Sequence, residues 1–353
     1  MSSSKTNIFI TGATGYIGGS VFQRLIQHPI AANFNITALI RSPEKAKFVR
    51  ENFPMNVVEG SNADLDKLTD LSERADIILN IADSDDLAAA NAIMQGLKQR
   101  HEKTRVKPTL IHTSGTGFLV DDARGMFATD KIYHGSKPEE IENGIPDNAL
   151  HRNVDLAVID ADRKGWLRGL IISPPTIFGI GSGPLYDSGL VNKHSLQIPL
   201  LIKISLARGR GAGVVGEGKS IWNHVHIDDV ANSYIVLLDA VLKNLMRSHM
   251  QGRRQGGPGK AFVQLGLAKS AKLVPFTEPE AELQKYIGSL FMGYLALGSN
   301  ARGWAEQIHA LGWKPKYTTT DLFVNIKPEV QAHVPAKKPL IRRVALKFQQ
   351  IFH

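Results

Sequence analysis

The sequence has no cysteine among its 353 residues. That excludes disulfides, thiolate metal centres and a cysteine nucleophile, and it points to a reducing compartment. No apolar run approaches the ~18–20 residues needed to cross a bilayer. The opening MSSSKTNIFITG is polar and then enters a strand pattern, without the apolar core of a secretory signal. The expected location is the cytosol. Acidic residues are missing from two stretches. Residues 243–272 carry seven Lys and Arg and residues 335–353 carry five, with no Asp or Glu in either. Those twelve positive charges exceed the net charge of +9, so the rest of the chain nets −3. The basicity therefore belongs to peripheral segments. A nucleic-acid binder would spread positive charge over a folded face and interleave aromatics with it. Nucleic acid is not an expected partner.

What is present reads as an ordinary globular composition, 43% hydrophobic and 21% charged. Strand and helix patterns alternate through the first 173 residues. NIFITG (7–12), NITALI (35–40), MNVVEG (55–60), ADIILNIA (75–82), PTLIHTSG (108–115) and LRGLIISPP (167–175) read as strands. They are continuous apolar runs, as expected of parallel strands buried on both faces. The segments between them have helical periodicity. The expected fold class is α/β, a doubly wound parallel sheet (Rossmann fold) with a smaller C-terminal substrate lobe. The expected division is a dinucleotide-binding domain over 5–180, a substrate lobe over 181–330 with 221–247 returning to the main sheet, and a basic tail over 331–353. The Gly-rich, basic, poorly periodic stretch 248–278 is expected to be a loop.

FITGATGYIGG places Gly12, Gly15 and Gly18 where the first strand turns into the first helix. A residue without Cβ permits the tight turn and lets the backbone approach a pyrophosphate. The helix N-terminus then supplies free N–H groups and partial positive charge. The second strand ends at Arg41, with no acid at that position to receive a ribose 2′-hydroxyl. A guanidinium there suits a 2′-phosphate, so the expected cofactor is NADP(H).

TGATGYIGG, the ALIR strand end, GFLV after HTSGT, PPTIFGIG and WNHVHIDDVA together resemble the extended and atypical short-chain dehydrogenase/reductases. That superfamily includes NAD(P)-dependent sugar-nucleotide epimerase/dehydratases, dihydroflavonol-reductase-like enzymes and nitrogen metabolite repressor-like proteins. The resemblance covers about residues 5–240, and LGSNARGWAEQIHALGWKP (297–315) is similar to the family's late helix. It implies pyrophosphate contacts from Gly12, Thr14, Gly15, Tyr16, Ile17 and Gly18. It also implies a 2′-phosphate contact from Arg41 and an adenosine-side contact from Ala82. Where the family often has an acid after the third strand, this sequence has Ser61.

The family's chemistry rests on a Tyr general acid/base with a Lys one helical turn later, assisted by a Ser or Thr at the end of the fifth strand. KIYHGSKPEE has Tyr133 and Lys137 at that spacing. Pro138 drives the preceding residue out of the α region, and Gly135 weakens a helix further. The pair is therefore expected on a loop, with Pro138 opening the next short helix. The later pattern NALHRNVDLAVIDADRKG (148–165) occupies the slot of the catalytic helix, with His151 and Asp155 where Tyr and Lys would stand. Asp has the wrong charge for the Lys role. Ser114 and Tyr133 are the candidate proton handlers, with His151 an alternative. In NHVHIDD, His224, His226, Asp228 and Asp229 read better as strand and helix-cap residues than as ligands, so no metal is expected. The expected function is an NADP(H)-dependent oxidoreductase acting on a small carbonyl or hydroxyl compound or a sugar nucleotide. The alternative is a non-catalytic NADP(H)-sensing protein. A small-molecule substrate is the expected partner. The basic tail reads as a terminus in preference to a membrane contact. Substrate identity and oligomeric state are not legible.

Overall fold

The computed structural model describes residues 5–209, 211–243 and 273–334. Residues 244–272 and those from 335 lie outside the described residues, and with them most of the loop expected over 248–278 and of the tail expected over 331–353; Val274–Pro275 forms a short strand paired with Gly213–Val214, and 331–333 end a helix. Six parallel strands form the central sheet: β1 (Thr6–Thr11), β2 (Phe34–Ile40), β3 (Asn56–Glu59), β4 (Ile77–Asn80), β5 (Thr109–Thr113) and, after the short β6 (Tyr133–His134), β7 (Arg168–Ile172). Their spatial order is β3-β2-β1-β4-β5-β7. The order reverses direction between β1 and β4, which opens a crevice at the carboxyl ends of those strands.

The strands are apolar throughout because alternate side chains enter different cores. In β1, Ile8 and Ile10 face a core built with α1 (Tyr16–Ile26), α2 (Pro43–Asn52) and a late helix (Ile227–Leu242), while Phe9 faces the other. In β4, Ile77 and Leu79 take the first side and Ile78 the second. The second core is filled by α3 (Leu65–Glu73), α4 (Leu87–Thr104) and, after the short α5 (Pro138–Gly144), α6 (Arg152–Arg163). The helix Ile227–Leu242 buries Val230, Tyr234, Leu237 and Leu238 in the first core. Its N-cap is His226, whose Nδ1 accepts from the Asp228 N–H at 3.2 Å. Asp228, expected at the cap, sits two residues past it in the first turn and pairs with Arg24 at 2.6 Å.

Beyond β7 the chain builds a lobe with small cores of its own. Helix Gln197–Arg208 packs Ile198 and Ile202 against Ile326 and Val330 of helix Thr319–His333. Arg208 is buried there. It donates to Glu282 (3.0 Å) and to the carbonyls of Val274 and Pro275 (3.4 and 3.2 Å), with its guanidinium 4.1 Å over Phe276.

Candidate active site

The turn after β1 is shaped by its glycines. Gly12 has φ +74°, and a Cβ on it would lie 2.9 Å from the backbone of Ala82 at the end of β4. Both conformation and space demand glycine. A Cβ on Gly18 would lie 2.1 Å from the Gly12 carbonyl oxygen, so the first turn of α1 rests directly on the loop. The Gly15 N–H closes the turn onto the Gly12 carbonyl at 2.8 Å. Gly15 is the N-cap; no side chain caps α1, and its first turn holds no acid. Helix-terminal amides with partial positive charge are thus left for an anion.

The sequence-predicted contacts divide by what they can offer. Tyr16 turns its ring inward: its hydroxyl donates to the Gly179 carbonyl at 2.5 Å, and its own carbonyl accepts from Tyr186 at 2.5 Å. Burial pushes the Tyr16 phenol pKa up, and only the backbone of this residue can serve a ligand. Thr14 and Ile17 are half-buried beside it. Arg41 is exposed at the end of β2 and makes no hydrogen bond or ion pair among the described residues. Ser42 next to it caps α2 by accepting from the Lys45 N–H (3.4 Å). Ala82 is exposed at the crevice, its N–H donating to Thr11 Oγ1 at 3.3 Å. Ser61 is committed to Asp64, with its N–H donating at 2.6 Å and its hydroxyl at 3.1 Å.

A buried polar chain runs across the ends of β1, β4 and β5. Thr11 Oγ1 accepts from the amides of Ile81 and Ala82, so its hydroxyl proton goes to Asn80 Oδ1 at 2.8 Å. Asn80 Nδ2 then donates to His112 Nδ1 at 3.1 Å. In the neutral imidazole the remaining proton is on Nε2. That atom is buried without a hydrogen-bond partner, 3.9 Å from Asp155 Oδ1, itself without one. The other Asp155 oxygen accepts from Ser114 Oγ at 2.9 Å. Burial lifts the Asp155 pKa to about 6, against the pull of Ser114, His151 and Arg152. Burial, and then the neighbouring His151, lowers His112 to about 4. Desolvation thus disfavours the charged form of each group.

His151 stands at the mouth of this chain. It is the N-cap of α6 with φ +68°, a left-handed conformation unusual for histidine. Asp85 holds it there, accepting from its backbone N–H at 3.1 Å and contacting Nδ1 at 2.9 Å; Ser84 Oγ is 3.0 Å from the same nitrogen. With Nδ1 facing a carboxylate, Nε2 is left for other work. It lies over the loop leaving β5, where a Cβ on Gly115 or Gly117 would be 3.1 or 3.2 Å away. His151 caps α6 and Asp155 follows inside it, so the two stand four apart at the start of the helix that leads into β7.

Tyr133 and Lys137 are not on one helix. Tyr133 belongs to the two-residue β6, paired with Gly303, and Lys137 is the N-cap of the helix that Pro138 opens. Lys137 pairs with Glu140 at 2.9 Å. The Tyr133 ring is half-buried against the Phe118, Leu119 and Ile145 cluster, under Lys131 Nζ at 4.3 Å. No hydrogen bond joins Tyr133 to Ser114 or His151. Sequence reasoning singled out Ser114, His151 and Asp155 separately. It missed Asp85, His112, Asn80 and Thr11, for which no local pattern gives a signal. In NHVHIDD, His224 meets Thr319 at 3.0 Å, His226 accepts from the Asp228 amide at 3.2 Å, and Asp229 accepts from the Lys316 and Tyr317 amides at 2.9 and 3.0 Å.

Residues 12–134 match the NAD(P)H-binding family. The oxidase ucsJ of Acremonium sp is 31% identical over 240 residues, which is 65% of this chain and 65% of that relative, just under two thirds of its length. The UDP-glucuronic acid 4-epimerase of Bacillus cereus, solved with UDP-glucuronic acid and NAD, has a TM-score of 0.59 at 13% identity. That match covers 93% of this chain and 100% of the epimerase. Vestitone reductase of alfalfa (Medicago sativa) has a TM-score of 0.53 at 17% identity, over 93% of this chain and 99% of the reductase. The two solved structures bear on fold. The chain shares the α/β fold of these two structures, and its matched segment is similar to NAD(P)H-binding domains. Residues 12–134 are an NAD(P)-binding domain.

Proposed function

We propose that the chain is a cytosolic, NADP(H)-dependent oxidoreductase acting on a small carbonyl or hydroxyl compound or a sugar nucleotide. The observation that carries the cofactor preference is Arg41: exposed at the end of β2, without an acid beside it, and free of ion pairs among the described residues. Gly12, Gly15 and Gly18 open the backbone to a pyrophosphate, with the amides of α1 to receive it. The Ala82 backbone flanks the adenosine side. When bound, the nicotinamide supplies or accepts the hydride. The chain's own task is the proton at the substrate oxygen. Ser114 Oγ, bonded to Asp155, is placed to orient that oxygen, and His151 Nε2, backed by Asp85, to give or take its proton. Tyr133 is the second proton handler suggested by sequence, and Tyr133→Phe tests it: unchanged turnover removes it from the mechanism.

A regulatory NADP(H) sensor is the second reading. It is favoured by one observation, that α6 presents His151 and Asp155 where the resemblance expects Tyr and Lys. Both readings are separated by titrating NADPH and NADH against intrinsic fluorescence and then following NADPH absorbance with aldehydes, ketones and sugar nucleotides. NADPH is expected to bind ~10–100-fold tighter than NADH, the worth of a charge-assisted phosphate contact. Arg41→Ser should erase that preference. Equal affinities in the wild type would sink the assignment of Arg41, and tight NADPH binding with no turnover would favour the sensor.

A further inference from the structure

We propose that His194, Glu329 and His333 form a site for one divalent transition-metal ion, Zn2+ in the first place, in the lobe and independent of the dinucleotide chemistry. One ligand atom from each residue lies within 4.8 Å of the other two. His194 Nδ1 is 2.8 Å from Glu329 Oε2, and His333 Nδ1 is 3.9 Å from the same oxygen. Metal–nitrogen and metal–oxygen bonds of about 2.0–2.2 Å set tetrahedral ligands ~3.3 Å apart. The 2.8 Å between His194 and Glu329 and the 4.8 Å limit on all three groups bracket that spacing, so small side-chain adjustments admit an ion.

The carboxylate asks for a cation. Glu329 is only 1% exposed, and its Oε1 is buried without a hydrogen-bond partner. No Lys or Arg pairs with it among the described residues; its ionic neighbours are the two histidines. A buried carboxylate oxygen left without a partner is costly. The histidines are also held in place. Glu329 and His333 stand four apart at the end of helix Thr319–His333, hence on one face. His333 Nδ1 donates to the Glu329 carbonyl at 2.8 Å, which orients the ring and leaves Nε2 as a ligand, the outer support common at metal-bound histidines. The Asn192 side chain grips the His194 backbone at both ends, accepting from its N–H at 3.1 Å and donating to its carbonyl at 2.9 Å. Two histidines and one carboxylate leave a fourth position for water. Ser195 Oγ, next in the chain to His194, is also buried without a partner. The bound ion clasps the loop at 192–195 onto the helix that packs against Gln197–Arg208.

The test uses the full chain, stripped with a chelator and dialysed. ZnCl2 is titrated by calorimetry, Co2+ is followed by visible absorption, and thermal melts are run with and without Zn2+. The expected result is one Zn2+ per chain, a tetrahedral Co2+ spectrum that Zn2+ displaces, and a raised melting temperature. His194→Ala and His333→Ala should each weaken binding by at least the ~10–100-fold that loss of outer-shell support alone costs. Absence of stoichiometric binding in the wild type would overturn the proposal and leave a histidine–glutamate ion cluster. So would undiminished binding in the doubly substituted chain, which would trace the metal to other histidines. If a variant misfolds, the wild-type Co2+ spectrum decides alone, and a weak octahedral spectrum or none refutes the site.

Discussion

Replacing Asp155 with Asn, and separately His112 with Gln, would expose an opposition that the wild type conceals. The two groups face each other across 3.9 Å, both buried. Burial raises Asp155 from its ordinary 3.8 to about 6 and lowers His112 from 6.5 to about 4. Near pH 5 the folded pair therefore holds one proton, on Asp155. The unfolded chain also holds one, on His112. Equal proton counts give no slope of stability with pH, and at about pH 8 neither state holds a proton. Asn keeps the shape and still accepts from Ser114, but it leaves His112 alone. His112 has a depressed folded pKa, so its contribution is present above 6.5 and lost as pH falls toward about 4. At ~1.4 kcal/mol per pH unit that window amounts to about 3 kcal/mol. His112→Gln leaves Asp155 alone, with a raised folded pKa. Its contribution is present below 3.8 and lost as pH rises through about 6, again about 3 kcal/mol. Urea unfolding of the three proteins between about pH 4 and about pH 8, plotted as variant minus wild type, should give two curves of opposite slope. Two flat difference curves would refute the claim that desolvation disfavours the charged form of both groups.

Gly12→Ala should cost about 2–5 kcal/mol at the loop, from a left-handed backbone and overpacking on Ala82. NADPH affinity should fall by tens-fold or more in fluorescence titration; unchanged affinity would mean that the loop does not hold the cofactor. Arg208→Ala would leave Glu282 buried without its partner and is expected to destabilise by about 3–5 kcal/mol, read as a lowered denaturant midpoint. If the chain is catalytic, His151→Asn keeps a residue that tolerates φ +68° while removing the acid/base. Turnover should then drop by ~100-fold or more with the melting temperature little changed; full activity would rule His151 out.

Local pattern was enough for the sheet, because each strand's continuous apolar run already states that both faces are covered. It was also enough for the glycine turn, where Gly18 answers to the Gly12 carbonyl a few residues away; that the Gly12 site is also closed by the Ala82 backbone is a fact of the fold. Pro138 likewise announced that Lys137 would not sit inside a helix, since the proline ring acts on its immediate neighbour. The histidine and aspartate at 151 and 155 were visible as a departure from the family pattern, but not their purpose. Only the assembled fold joined Ser114 to Asp155 across 41 residues, Asn80 to His112 across 32 and His151 to Asp85 across 66. Those partners come from different strands and loops, and no periodicity of 2 or 3.6 links them. Their desolvation is likewise a property of packing: a carboxyl in water and the same carboxyl under a sheet differ only in what surrounds them.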